Sequence, residues 1–154
     1  MLALLPRTLL FASLALAMPL APVRAQAAPD SAGVSQAMYA FIDDLNSLDL
    51  PRIVRHFDED ITAFVPGRQA ERVMGKAAVN AIFQGFTDAA RKAATQHPIV
   101  PRGMSVVASG DLGYASFTHQ EPDGIVKRRT FIWKRTGGTW RIAHFHASDV
   151  RPPA

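Results

Sequence analysis

The chain has 154 residues, the size of one compact domain, and it contains no cysteine, so a hydrophobic core must stabilise the fold without disulfides. Its formal net charge of +4 and its isoelectric point near 10.0 raise the question of a nucleic-acid partner. No run of five or more like charges occurs, and we therefore expect no nucleic-acid binding.

Residues 1–25 have the pattern of a signal peptide. Arg7 precedes an uncharged apolar run, and the following Val-Arg-Ala sequence offers a cleavage site, with cutting after Ala25 or Ala27 equally compatible. The run is shorter than the roughly 20 apolar residues of a membrane-spanning helix. We therefore predict a periplasmic or secreted protein with no membrane attachment after cleavage. Residues 26–33 are predicted to be a flexible lead-in, and 34–150 the folded domain.

The start of this domain is predicted to be a pair of helices. The apolar residues that recur at the spacing of one helical face are Met38, Phe41, Ile42 and Leu45. The first helix is predicted over 35–47, with Asp43 and Asp44 on its solvent-facing side. Asp49 followed by Pro51 is typical of the N-cap and first turn of a second, short helix.

The rest of the chain alternates apolar runs with turn residues. The predicted elements are a strand at 61–65, a loop or weak edge strand at 68–74, a helix at 76–94, strands at 99–109 and 114–120, and a hairpin at 127–148. Strands joined by tight turns form an antiparallel sheet, and the helices must cover one of its faces. The predicted fold class is therefore α+β, a curved antiparallel sheet wrapped around helices in a cone-shaped barrel with a pocket.

The final hairpin is expected to carry the polar groups of that pocket. With a turn of two or four residues around Gly137 and Gly138, the predicted pairs are Arg135–Trp140, Trp133–Ile142, Phe131–His144 and Arg129–His146. Side chains alternate between faces, so these residues would share the pocket face. The opposite face would carry Thr130, Ile132, Ala143 and Phe145. A three-residue turn would shift this register by one residue.

Three stretches of the sequence are distinctive: LNSLDLPRIVRHFDEDITAFVPG, the MGKAAV that opens the third helix, and the ending WRIAHFHAS. Together they resemble the nuclear transport factor 2-like superfamily. The SnoaL-like domains and the association (hub) domain of calcium/calmodulin-dependent kinase II are the most similar branches. The resemblance implies a cone-shaped fold with a pocket, but the superfamily contains enzymes, ligand-binding domains and oligomerisation domains, so the function must be argued from the site.

Two family sites are changed in this sequence. Phe41 and Val65 stand where the resemblance to ketosteroid isomerase places its tyrosine and its catalytic aspartate, and neither can move a proton. Phe117 and Phe131 stand where the kinase hub has inward-facing arginines. The resemblance therefore implies an apolar cavity without isomerase chemistry of that type.

We accordingly predict that the domain binds a small, largely apolar molecule in this cavity, with no metal and no cofactor. The predicted ligand-binding residues are Phe41, Phe117, His119, Arg129, Phe131, Ile142, His144 and His146. The phenylalanines and the isoleucine would form the walls. The arginine and the histidines would orient the polar end of the ligand.

An enzyme is the first alternative. His144 or His146 would act as acid or base in a lyase, isomerase or hydrolase, with Asp43, Glu121 or Asp149 as a candidate carboxylate partner. The same two histidines would lie side by side on a strand, as metal ligands do, but local spacing fixes no third ligand.

A non-catalytic oligomerisation module is the second alternative. In it the outer sheet face, including Thr130, Ile132 and Phe145, would pack against another copy of the chain. Because apolar residues are predicted on both sheet faces, a homodimer or larger homo-oligomer is expected whatever the pocket does.

Overall fold

The computed structural model describes residues 27–67, 71–93 and 97–151. Its helices are α1 (Ala27–Ser47), α2 (Leu50–Val54) and α3 (Lys76–Lys92). Its strands are β1 (Phe57–Phe64), β2 (Val73–Met74), β3 (Arg102–Ser109), β4 (Leu112–Gln120), β5 (Val126–Thr136) and β6 (Thr139–Val150). The predicted α+β class is confirmed. Residues 1–25, the predicted signal peptide, lie outside the described residues.

The strands form one curved sheet in the order β2-β1-β6-β5-β4-β3. Neighbouring strands run antiparallel, except that β1 and β6 run parallel. The sheet does not close, because β2 and β3 lie at its two edges. The helices pack on one face, which is therefore the inner face of the fold.

The first helix, α1, packs on β3 and β4 and buries the predicted apolar face. The buried members of that face are Met38, Phe41, Ile42 and Leu45. Contrary to the prediction of a flexible lead-in at 26–33, α1 already begins at Ala27. Two contacts hold this first part of the helix to the domain. The Ser31 hydroxyl accepts a 3.1 Å hydrogen bond from the Ala108 amide, and the Asp30 carboxylate lies 3.2 Å from the Arg135 guanidinium.

The turn into α2 has the predicted cap. The Asp49 carboxylate accepts a 3.2 Å hydrogen bond from the Arg52 amide, and Pro51 lies in the first turn. Leu48 links the two helices in the left-handed region at φ 56°, which lets the chain reverse direction there. The short second helix is therefore confirmed.

The prediction that Asp44 points to solvent is wrong, whereas Asp43 is exposed as predicted. Asp44 is only 2% exposed, because α2 returns across the end of α1 and brings three basic side chains to its carboxylate. The nearest atoms are those of Arg52 at 2.6 Å, His56 at 2.7 Å and Arg55 at 3.4 Å. A carboxylate can be buried where opposite charges and hydrogen bonds replace its water.

Strand boundaries differ from the predictions mainly at the starts. β1 begins at Phe57 rather than at 61, and a large bulge separates its first pair with β6 from the remainder. β3 begins at Arg102 rather than at 99, because Pro101 lacks the amide proton that a ladder requires. No helix in the described ranges combines the length and apolar character needed to cross a bilayer.

The register of the last hairpin determines which residues reach the inner face. The predicted pairs Arg135–Trp140 and Trp133–Ile142 are confirmed. Beyond them a β-bulge at Ala143 adds one residue to β6, so the predicted pairs Phe131–His144 and Arg129–His146 are wrong. The observed pairs are Ile132–His144, Phe131–Phe145, Thr130–His146 and Arg129–Ala147. Because side chains alternate, the extra residue exchanges the two faces for the rest of β6.

Candidate functional site

A cavity of about 370 Å³ lies between the inner face of the sheet and helices α1 and α3. Its walls come from α1, α3, the end of β1, the segment before β3, and the facing parts of β4, β5 and β6. The residues that line it are Phe41, Leu45, Val65, Pro66, Ile82, Phe83, Phe86, His97, Ile99, Phe117, His119, Glu121, Lys127, Arg129, Phe131, Phe145, Ala147 and Asp149. A volume of this size is within the range of about 300–1,000 Å³ that is typical of small-molecule sites.

Phenylalanine rings form the apolar part of the wall. Phe131 stacks between Phe117 and Phe145, with centroid distances of 6.2 Å and 5.9 Å. Phe41 meets Phe131 edge-on at 5.4 Å and Phe83 of α3 at 6.1 Å. These arrangements fix the ring positions, because offset and edge-to-face contacts are the favoured aromatic geometries. The result is a rigid surface suited to a flat or compact apolar group.

The polar end of the cavity comes from the next cross-strand rows of the sheet. His119 of β4 pairs with Lys127 of β5, which pairs with Asp149 of β6. Arg129 is the next inward-facing residue of β5 after Lys127. It lies opposite Ala147 and closer to the phenylalanines. Moving along these strands, the inner face therefore changes from aromatic to charged.

The charged groups at this end pair with one another. One Asp149 oxygen lies 3.2 Å from Arg129 Nη1 and the other lies 3.1 Å from Lys127 Nζ. Glu121 Oε1 lies 3.9 Å from the same lysine nitrogen. Burial alone would raise the pKa of Asp149, but the hydrogen bond and charge of Lys127, with Arg129, hold that pKa below its usual range. Asp149 is therefore ionised at neutral pH.

His119 is the buried imidazole of the cavity, with 7% of its surface exposed. Burial lowers the pKa of His119, and the charges of Arg129 and Lys127 lower it further against the opposing effects of Glu121 and Asp149. The ring is therefore neutral at pH 7, with one nitrogen as donor and the other as acceptor.

Five of the predicted ligand-binding residues line the cavity: Phe41, Phe117, His119, Arg129 and Phe131. Ile142 lies in the core at 0% exposure and does not line it. His144 and His146 lie on the opposite face, because the bulge at Ala143 comes before them. Their predicted place in the pocket is therefore wrong, and Phe145, predicted on the outer face, takes the inner position.

The outer-face histidines make local contacts. His144 Nδ1 lies 2.7 Å from the Thr62 hydroxyl, and the Phe64 ring packs against both His144 and His146. Burial lowers the pKa of His144, with smaller contributions from His146 and Arg72. Within the described ranges no three His, Asp or Glu side chains lie close enough together to hold a metal ion.

Sequence reasoning missed the inward positions of Lys127 and Ala147, and it named Glu121 and Asp149 only as candidate carboxylate partners in the enzyme alternative. The alternation of β5 does give Lys127 the same face as Arg129, and this signal was readable. The positions of Ala147 and Asp149 depend on the bulge. An alanine at position 143 is not a residue type that predicts a β-bulge.

A histidine paired directly with a carboxylate does occur, but away from the cavity. His56 Nε2 lies 2.7 Å from Asp44, between α1 and α2, and neither residue lines the cavity. Burial alone would raise the pKa of Asp44, but the hydrogen bond from His56 and the charge of Arg52 hold it below its usual range. This cluster joins two helices and has no access to a ligand in the cavity.

Sequence comparison matches a SnoaL-like domain model to residues 34–152, which is most of the chain. The chain belongs to the SnoaL-like domain family. The predicted family resemblance is confirmed, and the match covers all the cavity-lining residues. No curated protein shows significant sequence similarity to this SnoaL-like domain.

Solved structures share its fold. An NTF2-like protein of unknown function from Pseudomonas putida KT2440 has a TM-score of 0.68 at 23% identity, covering 77% of this chain and 84% of that one. A ketosteroid isomerase-like protein from Erwinia carotovora atroseptica SCRI1043 has a TM-score of 0.61 at 18% identity, covering 79% and 97%. The CaMKII hub of S. rosetta has a TM-score of 0.59 at 17% identity, covering 79% and 97%. At these identities the similarity shows the fold alone.

Proposed function

We propose that this SnoaL-like domain is exported after removal of its predicted signal peptide and binds a small, largely apolar molecule with one polar end. The observation that carries the proposal is the cavity of about 370 Å³, whose walls are phenylalanine rings and whose polar end holds His119 and Arg129. Such a combination of apolar walls with a few convergent polar groups is the usual form of a ligand site.

The opening of the cavity also suits entry of a small molecule. Four lining residues, Pro66, Phe86, His97 and Asp149, are exposed and mark where the cavity opens to solvent. A groove of about 330 Å³ continues from that mouth and shares Phe86, His97 and Glu121 with the cavity. A ligand can therefore reach the interior without separating α3 from the sheet.

The enzyme alternative requires a histidine with a carboxylate partner in the cavity, and the described residues do not provide this pair. His144 and His146, the predicted acid or base, face away from the cavity. For His119, none of the carboxylates in the described part of the chain lies within hydrogen-bond distance of the ring. Ligand binding is therefore the better-supported function of the site.

Filling the cavity is expected to weaken ligand binding. Ala147 lines the cavity on β6, so the ring of Ala147→Phe would occupy ligand space. Calorimetric titration with three neutral probes of different shape, naphthylmethanol, cyclohexylmethanol and octanol, is expected to show binding of at least one by the wild type. Its Kd should weaken about tenfold or more in the variant, since each tenfold corresponds to only about 1.4 kcal/mol.

Ser148→Phe is the matched control, because the next residue on the strand faces outward opposite Arg128. It adds the same ring to the other sheet face and should leave the Kd unchanged. Absence of binding for all three probes in the wild type, or equal loss in both variants, would contradict the proposed function.

We also propose that the outer sheet face binds a second copy of the chain. One register row crosses all six strands through Met74, Thr62, His144, Ile132, Tyr114 and Val107. Met74, Val107 and Tyr114 in this row are exposed, and Leu112 and Phe64 beside it are exposed as well. These exposed side chains form two apolar groups, one at the β2 edge and one at the β3 edge, and exposed apolar groups of this kind are characteristic of an interface. A two-fold axis would bring the same sheet face of both copies together.

Tyr114→Glu is expected to convert the dimer to a monomer, because it places a charge among the exposed apolar side chains, next to Val107 of the edge strand β3. Tyr39→Glu is the matched control, since Tyr39 is also an exposed tyrosine but lies on α1, outside the sheet. Sedimentation velocity over a concentration series measures both. A wild type that stays monomeric at its highest soluble concentration contradicts the assembly, as does a Tyr114→Glu variant that remains dimeric.

A further inference from the structure

The cavity opens into a groove of almost the same size. The groove encloses about 330 Å³, against about 370 Å³ for the cavity. The residues that line both spaces are Leu45, Phe86, His97, Ile99 and Glu121. Because this shared wall passes from one space into the other, a single molecule can occupy both.

Helices α1 and α3 give the combined space its direction. Along α1 the lining passes from Phe41 in the cavity to Leu48 in the groove, directly after the helix. On α3 it passes from Phe83 to Ala90. The two helices face each other across the space, since the Phe41 and Phe83 rings lie 6.1 Å apart. Each step covers about two helical turns, or roughly 10 Å, so the apolar path is long enough for a short alkyl chain.

Hydrogen bonds fix the walls of the groove. Asn46 Nδ2 donates to the Ile99 carbonyl oxygen at 3.2 Å, and the Ile99 amide donates to Asn46 Oδ1 at 2.8 Å. These two bonds hold the segment before β3 against α1. From α3, Arg91 Nη2 donates to the Leu48 carbonyl oxygen. The walls therefore do not have to be ordered on binding, which favours affinity.

The surface of the groove suits an apolar chain. Its apolar lining residues outnumber the polar ones, and among the polar ones the Asn46 amide is already engaged by Ile99. Phe86, at the junction with the cavity, is a large aromatic side chain that is 43% exposed. A chain that crosses this junction would cover the ring and remove apolar surface of both partners from water.

We infer that the ligand is elongated, with a compact apolar body in the cavity and a flexible apolar tail that lies in the groove. The inference rests on the proposed function and names its ligand class. His119 and Arg129 line the cavity but not the groove, whereas Glu121 lines both. The tail therefore continues from the polar end of the body, as does an alkyl chain attached beside a hydroxyl or carbonyl group.

Two probes with the same body and the same hydroxyl test the inference on the full mature domain. Naphthylmethanol ends at its hydroxyl group, and its hexyl homologue carries a hexyl chain on the carbinol carbon. By calorimetric titration we expect the hexyl homologue to bind about tenfold or more tightly, because the groove removes its methylenes from water.

Ala90→Phe separates the groove from a general preference for apolar chains. Ala90 lines the groove but not the cavity, so the new ring would occupy only the space of the tail. The hexyl homologue should lose its advantage, while the Kd of naphthylmethanol stays unchanged. Ala90→Leu fills part of the same space and should reduce the advantage in the same direction if Ala90→Phe fails to fold.

Ala89→Phe is the matched control. Ala89 is exposed on the same helix and lines neither the cavity nor the groove. The variant adds the same ring one residue earlier and should leave the Kd of both probes unchanged.

The outcomes separate the two proposals. If the hexyl homologue, naphthylmethanol, cyclohexylmethanol and octanol all fail to bind the wild type, the proposed function itself is overturned. If one of the alcohols binds but the hexyl homologue binds no more tightly than naphthylmethanol, the cavity binds a ligand and the inference about the groove is wrong. An advantage of the hexyl homologue that persists in both Ala90 variants likewise contradicts it.

Discussion

Replacing Trp133 by alanine is expected to lower the free energy of unfolding by about 3–5 kcal/mol. Trp133 is 0% exposed and is the largest fully buried side chain of the described residues. It pairs with Gly113 on β4 and with Ile142 on β6, so a neighbouring strand flanks it on each side. The truncation would leave a void that this paired framework cannot collapse to fill. Urea denaturation followed by circular dichroism measures the loss.

Trp133→Phe is the matched control. The indole Nε1 of Trp133 is buried without a hydrogen-bond partner among the described residues, so removing it relieves an unsatisfied donor. That gain offsets part of the lost packing, and the expected cost is below about 1.5 kcal/mol. A loss below about 1 kcal/mol for Trp133→Ala, or equal losses for both variants, would show that the residue is not in the core.

Asp44→Asn is expected to cost about 2–3 kcal/mol. The carboxylate accepts from His56 and forms an ion pair with Arg52, and a neutral amide removes the negative charge that pairs with Arg52. This expected loss of stability is low for a buried ion pair, because the Arg52 side chain is 49% exposed and can be hydrated once its partner is removed. Asp43→Asn, one residue earlier and exposed, should change stability by less than about 0.5 kcal/mol.

The pH dependence of the Asp44 contribution has a definite sign. Because the pKa of Asp44 is held below its usual range in the folded protein, its stabilisation is present above the unfolded value of about 3.9 and is lost as pH falls through the folded pKa. The difference in melting temperature between the wild type and Asp44→Asn should therefore shrink as pH falls below about 4. A difference that grows on acidification would contradict the ion-pair account.

Local chemistry made most of the fold predictable. The Asp49 cap, Pro51 and the glycine turn at Gly137 and Gly138 each act on the backbone within a few residues, so their structures follow from nearby residues. The apolar face of α1 was likewise readable from its spacing. The flexible lead-in was wrong because its contacts, Asp30 with Arg135 and Ser31 with Ala108, join residues far apart in sequence.

The misplaced site residues have one cause. A single extra residue at Ala143 exchanges the faces of the rest of β6, so both predicted histidines leave the pocket while Ala147 and Asp149 enter it. The bulge occurs where β6 also pairs with β1, whose own ladder is interrupted between Phe57 and Thr62. That pairing is a tertiary contact, and the hairpin sequence alone does not contain it.

The burial of Asp44 shows the same limit on a smaller scale. Helical spacing places it beside Asp43 on the polar side of α1, and only the return of α2 covers it. The basic partners Arg52, Arg55 and His56 were present in the sequence, but their relation to Asp44 depends on the angle between two helices. Residue spacing predicts faces within an element, whereas burial of a charged group depends on the neighbouring element.

Heteronuclear NMR titration of the mature domain with naphthylmethanol is the most direct test of the central claim, that the ligand binds on the inner face. We predict that the amide shifts cluster at His119, Arg129 and Ala147, and that His144 and His146 on the outer face stay unchanged. Shifts that cluster at His144 and His146 instead, or no shifts at saturating probe, would contradict the account.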